Sequence, residues 1–345
     1  MPETLSWENL QEARNIQSPA ELLERIPVGI THDQFVHYLK TQQVNCFTIP
    51  GKIVVNGESI VVCVEIEGGM AKIFFGYYKN QPDRFVVIKM PLEHLAYDAV
   101  CEARSILEAL FLEHSNVHKG CEHWPWLWDE GQVQHPDSRS SNTVHAMVLE
   151  MLPGIRLSDL IEDHLQAVRD SAFVASVAAQ LAYSLEEIHE HGLVHRDIKP
   201  ENIMITNKRP FVKLYDCGIA YFPGFDLAAP GSAIGTPESM SPEEACLGKQ
   251  AEIASDQYSI GTVMYRMLKG SPIFHGSSQS VISQQVFATP QSLDTPLWLI
   301  LRRLLAKTPK DRYPSSVELR QALAPHILAN PEIALRTGDA LTQLI

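Results

Sequence analysis

Two short strings in this chain carry side chains suited to phosphate chemistry. Residues 195–202 read His-Arg-Asp-Ile-Lys-Pro-Glu-Asn, and residues 213–216 read Lys-Leu-Tyr-Asp. Asp197 offers a carboxylate that can orient a hydroxyl, and Lys199 a cation beside a moving phosphoryl group. Asn202 adds an amide oxygen for a divalent cation, and Asp216 supplies a further carboxylate a short hairpin later. Magnesium takes oxygen ligands and needs few from the protein when phosphates supply the rest. Moving a phosphoryl group from ATP to a hydroxyl calls for this equipment, because the reaction depends on positioning and charge stabilisation.

Such side chains must be held by elements that the remaining sequence has to provide. At 345 residues the chain suits one bilobal enzyme or two compact domains. A net charge of −13 argues against nucleic acid or an anionic membrane as the main partner. The six cysteines form no C-x-x-C pair, which fits reduced thiols and a cytoplasmic location. His114, His118, Cys121 and His123 cluster, but their spacing matches no standard zinc site and reads as a His-rich loop. No basic stretch followed by an apolar run opens the chain, and no run of 18 apolar residues occurs, so neither an ordinary signal peptide nor membrane insertion is expected. Delivery into a host cell stays open.

Residues 1–45 read as a helical extension. Ser18-Pro-Ala-Glu21 is a capping box with proline at the first helical position, opening a helix through Ile26, and Thr31 begins a second such pattern. The extension either packs on the first lobe or docks a regulatory partner. From residue 46 to 152 strands dominate. Runs at 52–55 and 59–64 flank Asn56-Gly57, a strong hairpin signal. Further strands are expected at 72–78, 84–90, near 126–128 and at 145–149, with a helix from about Leu92 to Leu112. Beyond Pro153-Gly154 helices dominate to residue 328. Val174, Val177, Ala178, Leu181, Leu185 and Ile188 form one apolar stripe ended by Gly192, and a second runs from Ile260 to Leu268, capped at Ser255 and stopped at Gly270. Residues 329–345 read as a C-terminal tail.

The string 195–202 with Asp216 resembles the catalytic loop and metal-binding segment of the eukaryotic-like serine/threonine protein kinases, bacterial members included. The resemblance runs from about Val61 to Leu328. It implies an α+β, bilobal protein-kinase fold: an antiparallel N-lobe sheet with one main helix, and a mostly helical C-lobe. It also implies ATP and Mg²⁺ as cofactors and a protein substrate with a serine or threonine acceptor. Within Arg84–Met90, Lys89 corresponds to the lysine that meets the α- and β-phosphates. Its carboxylate partner on the following helix is expected to be Glu102, with Ile106 one turn on facing the core; Glu108 is the other candidate. Ile66-Glu-Gly68-Gly69-Met-Ala-Lys-Ile73 aligns with the glycine-rich loop but keeps only its middle glycine, Gly68. Ile66 and Ala71 stand at the outer glycine positions, where added Cβ atoms restrict the backbone and would weaken ATP affinity. Leu149–Gly154 resembles the hinge, in which backbone groups of Glu150 and Leu152 would pair with adenine and Leu149 would guard the back pocket.

By the same resemblance Asp197 orients and deprotonates the acceptor, and Lys199 marks the serine/threonine-directed branch. Asn202 and Asp216 hold the metal. Cys217 replaces the usual aromatic residue after the metal-binding aspartate. Downstream, Gly235–Glu243 resembles the peptide-docking end of the activation segment. Asp256 corresponds to the aspartate that anchors the catalytic loop, and Arg312 to the partner of Glu243. A phosphate on Ser232, met by Arg196, is one way to order that segment, and an order needing no phosphate is the other. Two rivals accompany this reading. A pseudokinase scaffold is favoured by the eroded loop and Cys217. A small-molecule phosphotransferase is disfavoured by the docking segment at 235–243.

Overall fold

The computed structural model describes residues 18–25, 51–67, 71–95, 98–119, 122–136, 143–163, 166–190, 192–216, 236–246 and 252–342. The chain divides into two compact units, one holding residues 29–153 and the other residues 9–28 and 154–345. The proposed second helix from Thr31, the Gly68-Gly69 pair, Cys217 and Ser232 lie outside the described residues, as do the side chains of His118 and Cys121.

The first unit is built on a six-stranded antiparallel sheet. Its strands are β1 (Gly51–Val55), β2 (Glu58–Glu67), β3 (Ala71–Tyr78), β4 (Gln81–Pro91), β5 (Leu127–Gln134) and β6 (Thr143–Glu150), in the order β1-β2-β3-β4-β6-β5. Asn56 and Gly57 both take positive φ, 47° and 87°, which is the geometry a two-residue hairpin needs to match strand twist. Alternation along β3 and β4 sends Phe74, Val86 and Ile88 into a core shared with Ile60, Val62, Val133 and Val148. Asn56 Nδ2 donates to Asp129 Oδ1 at 2.6 Å and to the Glu130 carbonyl at 2.8 Å, so the two edge strands β1 and β5 are tied together. One helix, α2 (Ala99–Glu113), is capped by Asp98, whose carboxylate accepts from the backbone N–H groups of Val100 and Cys101. It starts seven residues later than the apolar pattern suggested.

The second unit contains α1 (Pro19–Arg25), a small sheet of β7 (Gly154–Arg156), β8 (Ile203–Thr206) and β9 (Val212–Leu214), and a run of helices. These are α3 (Leu157–Glu162), α4 (Ser171–Glu190), α5 (Pro242–Ala245), α6 (Ile253–Lys269), α7 (Ser278–Phe287), α8 (Trp298–Leu304), α9 (Ser316–Leu328), α10 (Pro331–Thr337) and α11 (Asp339–Thr342). The expected stripe on α4 is buried, and Gly192 follows in the left-handed conformation, as does Gly270 after α6. The start of α6 differs from expectation. Glu252 is the cap, and Ser255 sits three residues inside as the reciprocal member of the capping box.

Two terminal segments also depart from their expected roles. The extension packed on the first lobe gives way to an α1 that packs within the second unit, against α10 and the turn Gln166–Arg169. Leu22 and Leu23 are wholly buried there, and each such leucine contributes about 1.5–3 kcal/mol of burial. Seven residues are too few for an independent helix, so this docking is what maintains α1. The segment after 328, read as a tail, instead supplies α10 and α11, which pack on α4. Thr337 Oγ1 lies 2.7 Å from Ser176 Oγ, and Ile333 and Ala340 are fully buried. No helix among the described residues is long and apolar enough to cross a membrane.

Candidate functional site

In the first unit the register of the sheet organises the candidate nucleotide-binding residues. Ile66 pairs with Ile73, Ile73 with Lys89, and Lys89 with Met147, so one cross-strand row holds three of the predicted positions. Paired residues on adjacent strands share a face. Ile73 and Lys89 therefore stand on the side opposite the sheet's apolar core. Lys89 Nζ donates to both carboxylate oxygens of Glu108, each at 2.8 Å, with Glu108 almost fully buried.

This pairing corrects the expectation for Glu102. Glu102 lies six residues nearer the helix N-terminus, about 9 Å along the axis, and its nearest side-chain partner is Gln132 Nε2 at 3.4 Å. Ile106, expected to face the core, is 38% exposed. We expect Glu108→Gln to lower kcat/KM for ATP by about tenfold or more, the loss of a charge-assisted pair. Glu102→Gln should stay within about twofold of the wild type. Steady-state kinetics of the two variants checks this directly, and equal losses would restore Glu102 as a partner.

At the end of β6, Glu150 N donates to the Trp126 carbonyl at 2.7 Å. Residues 151–153, including Leu152, then leave the sheet without regular structure, and Leu149 beside them is buried.

In the second unit the catalytic-loop residues are fixed by Asp256, which sits fully buried in the first turn of α6. Its Oδ2 accepts from His195 N at 2.9 Å and lies 2.8 Å from His189 Nε2, while Oδ1 accepts from Arg196 N at 3.0 Å. Burial alone would raise the Asp256 carboxyl. Hydrogen bonding and charge from His189 and His195 outweigh it and hold the group below its ordinary value. Arg196 takes φ 67° and Asp216 φ 65°. Positive φ is uncommon outside glycine and collects at functional sites.

Around Asp197 the chain assembles a closed polar network. Lys199 Nζ reaches Asp197 Oδ2 at 2.7 Å and Oδ1 at 2.9 Å, and donates to Thr236 Oγ1 at 2.9 Å. Thr236 Oγ1 in turn donates to Asp197 Oδ1 at 3.2 Å. Asn202 Nδ2 donates to Asp197 Oδ2 at 2.8 Å and to the Asp197 carbonyl at 2.9 Å. Because the amide nitrogen of Asn202 is committed to Asp197, its oxygen is the end left to meet a cation. With the exposed Asp216 carboxylate it gives an all-oxygen donor set that suits Mg²⁺ and not a soft metal. Thr236 enters this network although the sequence reading assigned it no role. Its signal was its place in Gly-Thr-Pro-Glu.

Beside this network lies a groove of about 320 Å³ lined by Lys199, Glu201, Thr236, Glu238, Arg266 and Ile273, among others. The charged rim and apolar end suit a length of peptide better than a compact apolar ligand. Thr236, Glu238 and Ser239 on its wall open the segment 236–246. Here Glu243 forms a two-point ion pair with Arg312 at 2.6 and 2.7 Å, while Ser241 and Glu244 form a capping box on α5. Burial pushes the Glu244 carboxyl up to about 7, against the lowering effect of its bonds to Ser241. Oε1 of Glu244 has no hydrogen-bond partner among the described residues.

A carboxyl raised in the folded state holds its proton longer there than in the unfolded chain. Its contribution is therefore complete below the unfolded value, near 4.5, and lost as pH rises through about 7. Glu244→Gln should accordingly be more stable than the wild type at pH 8 and comparable at pH 5. Urea unfolding at both pH values checks this, and a gap independent of pH would refute it.

Comparison with known proteins agrees with this geometry. The model of the family described as "Protein kinase domain" matches residues 68–324. The serine/threonine-protein kinase drp72 of Corynebacterium efficiens is 34% identical over 269 residues, covering 76% of this chain and 49% of that protein. PknB of Mycobacterium tuberculosis is 31% identical over 227 residues, covering 60% of this chain and 35% of the relative. PknA of Corynebacterium glutamicum is 34% identical over 228 residues, covering 64% and 47% respectively. The chain spans about half or less of the length of these relatives.

Proposed function

The chain belongs to the protein kinase family, and from that premise we propose that it transfers the γ-phosphoryl group of ATP to serine or threonine hydroxyls of protein substrates, itself included. The observation that carries this reading is the network of Asp197, Lys199, Asn202 and Thr236. A scaffold would need none of these contacts to be made together.

In this reading Asp197 accepts a hydrogen bond from the acceptor hydroxyl, aims its oxygen and takes its proton as the new O–P bond forms. The acceptor displaces Thr236 from the carboxylate or sits beside it, and Lys199 offsets charge on the transferred group. Lys89, held by Glu108, binds the α- and β-phosphates. Backbone groups of Glu150 and Leu152 receive the adenine edge, and Ile66, Gly68, Gly69 and Ile73 lie along the segment that covers the nucleotide. Asn202 and Asp216 would hold Mg²⁺, which when bound neutralises phosphate charge. The preference for serine and threonine rests on Lys199 and on its bridge to Thr236. Segment 1–45 is proposed to dock a regulatory partner.

Intact-mass spectrometry of the protein incubated with ATP and Mg²⁺, run beside Asp216→Ala, tests the reading. Additions of one phosphate mass in the wild type alone are expected. Absence of any addition, and of transfer to a basic protein substrate, would overturn it. Peptide mapping of the product also tests Ser232 as the modified site.

A further inference from the structure

The face of α2 that meets the sheet is polar at three successive turns. Glu102, Ser105 and Glu108 recur every three residues, a series that sweeps about 120° of the helix surface. Each meets a polar partner on the sheet: Gln132 on β5, His145 on β6 and Lys89 on β4. The middle contact is the most enclosed of the two that the reaction does not itself require. Ser105 Oγ lies 2.8 Å from His145 Nδ1, and His145 Nε2 lies 3.0 Å from Glu130 Oε2. Both Ser105 and His145 are buried.

Sheet register explains why these groups meet. Gln132 pairs with His145, and Glu130 pairs with Met147, which is also the cross-strand neighbour of Lys89. His145, Glu130, Gln132 and Lys89 therefore share one face of the sheet. A carboxylate can only accept, so Glu130 requires the imidazole proton on Nε2. In the tautomer with its proton on Nε2, Nδ1 accepts from the Ser105 hydroxyl. The acid thus sets the tautomer, and the tautomer sets which way the serine on α2 must point.

We propose that His145 is a positioning residue for Lys89. Through Ser105 it fixes the rotation and axial register of α2, and so holds Glu108 where it can grip the lysine. The inference rests on the reading of Lys89 as the phosphate-binding lysine, but the contact it describes exists without nucleotide. Dispersion contacts are non-directional, so by themselves they leave axial sliding of α2 soft. A directional hydrogen bond one turn from Glu108 removes that freedom.

The test reads Lys89 itself. Acetylation of the intact protein by a small amine-reactive ester, followed by peptide mass spectrometry, gives a rate for each lysine. Exposed Lys310 serves as internal reference and buried Lys72 as the check on general loosening. Glu108→Gln should raise the Lys89 rate and set the scale. Ser105→Ala and His145→Leu should raise it by about three- to tenfold, the weight of a lost buried hydrogen bond. His145→Gln, which keeps a donor and an acceptor on one side chain, should recover much of the wild-type rate. Phosphotransfer should fall in the same order, with KM for the peptide substrate unchanged.

Wild-type Lys89 rates in Ser105→Ala and His145→Leu, alongside a raised rate in Glu108→Gln, would overturn the proposal. So would a rise shared equally by Lys72. If the labelling pattern appears but the wild type transfers no phosphate, the proposed activity fails and the positioning role stands.

Discussion

Asp197→Ala is expected to cut kcat by about 10²–10⁴-fold, the range lost when a positioned general base is removed, while unfolding at the wild-type midpoint. The size follows from what surrounds the carboxylate. Both of its oxygens accept from Lys199, and Asn202 and Thr236 each add a further bond. No other carboxylate among the described residues is held by this set of donors, so none can take over the acceptor hydroxyl. Asp197→Asn separates orientation from proton acceptance, because the amide keeps one acceptor oxygen but cannot take a proton. If Asp197→Asn retains more than about a tenth of wild-type kcat, the role is orientation alone. If Asp197→Ala stays within about threefold of the wild type, the assignment of the base is wrong. KM for ATP should change little in either variant, since the nucleotide is assigned to other residues.

Three members of the network around Asp197 could be grouped from the sequence because they are local, whereas Thr236, 39 residues on, could not. Asp197, Lys199 and Asn202 lie within six positions, and a loop that short leaves few ways to arrange them. The strands were readable for a similar reason, since alternation and the Asn56-Gly57 turn act over a few residues. What was not readable depends on contacts distant in sequence. The choice between Glu102 and Glu108 is a choice of axial register between a helix and a sheet. Both glutamates reach sheet residues from α2, so periodicity alone cannot rank them. His145 stands at the start of an apolar strand run, and its partners are 15 and 40 residues away. The helix at Pro19–Arg25 announced its own start through its capping residues. Nothing local says that Leu22 and Leu23 are buried within a unit whose other residues begin at 154. Asp256 and Arg312 were legible only through the family resemblance, because their work is done across tens of residues.

Arg312→Met should destabilise the second unit by about 3–5 kcal/mol, the cost of leaving a buried charge without its partner. Arg312 is 1% exposed and Glu243 4%. The guanidinium also donates to the carbonyls of Ala254 and Ala306, at 2.6 and 3.0 Å, and lies 5.0 Å from the Tyr258 ring centroid. Glu243 accepts in addition from Ser255 Oγ at 2.7 Å. The pair thus joins the end of the docking segment to α6 and to the loop before α9. Removing both charges, as in Glu243→Gln with Arg312→Met, should cost less than the sum of the two single changes, because no lone charge remains buried. The pH dependence has a defined sign. Burial tends to raise the Glu243 carboxyl, but Arg312 and Ser255 outweigh it and hold the group below its ordinary value. A lowered carboxyl stabilises above its unfolded value, near 4.5, and that stability is lost as pH falls through the folded one. Its neighbour Glu244 is raised and acts in the opposite direction. Two adjacent carboxyls therefore confine the docking segment from both sides: acid releases it through Glu243, and alkali strains it through Glu244. Urea unfolding from about pH 7 down to about pH 3 should show the Arg312→Met deficit level above the unfolded carboxyl value and shrinking below it, and a deficit that stays constant to the acid end would remove the ion pair from this account.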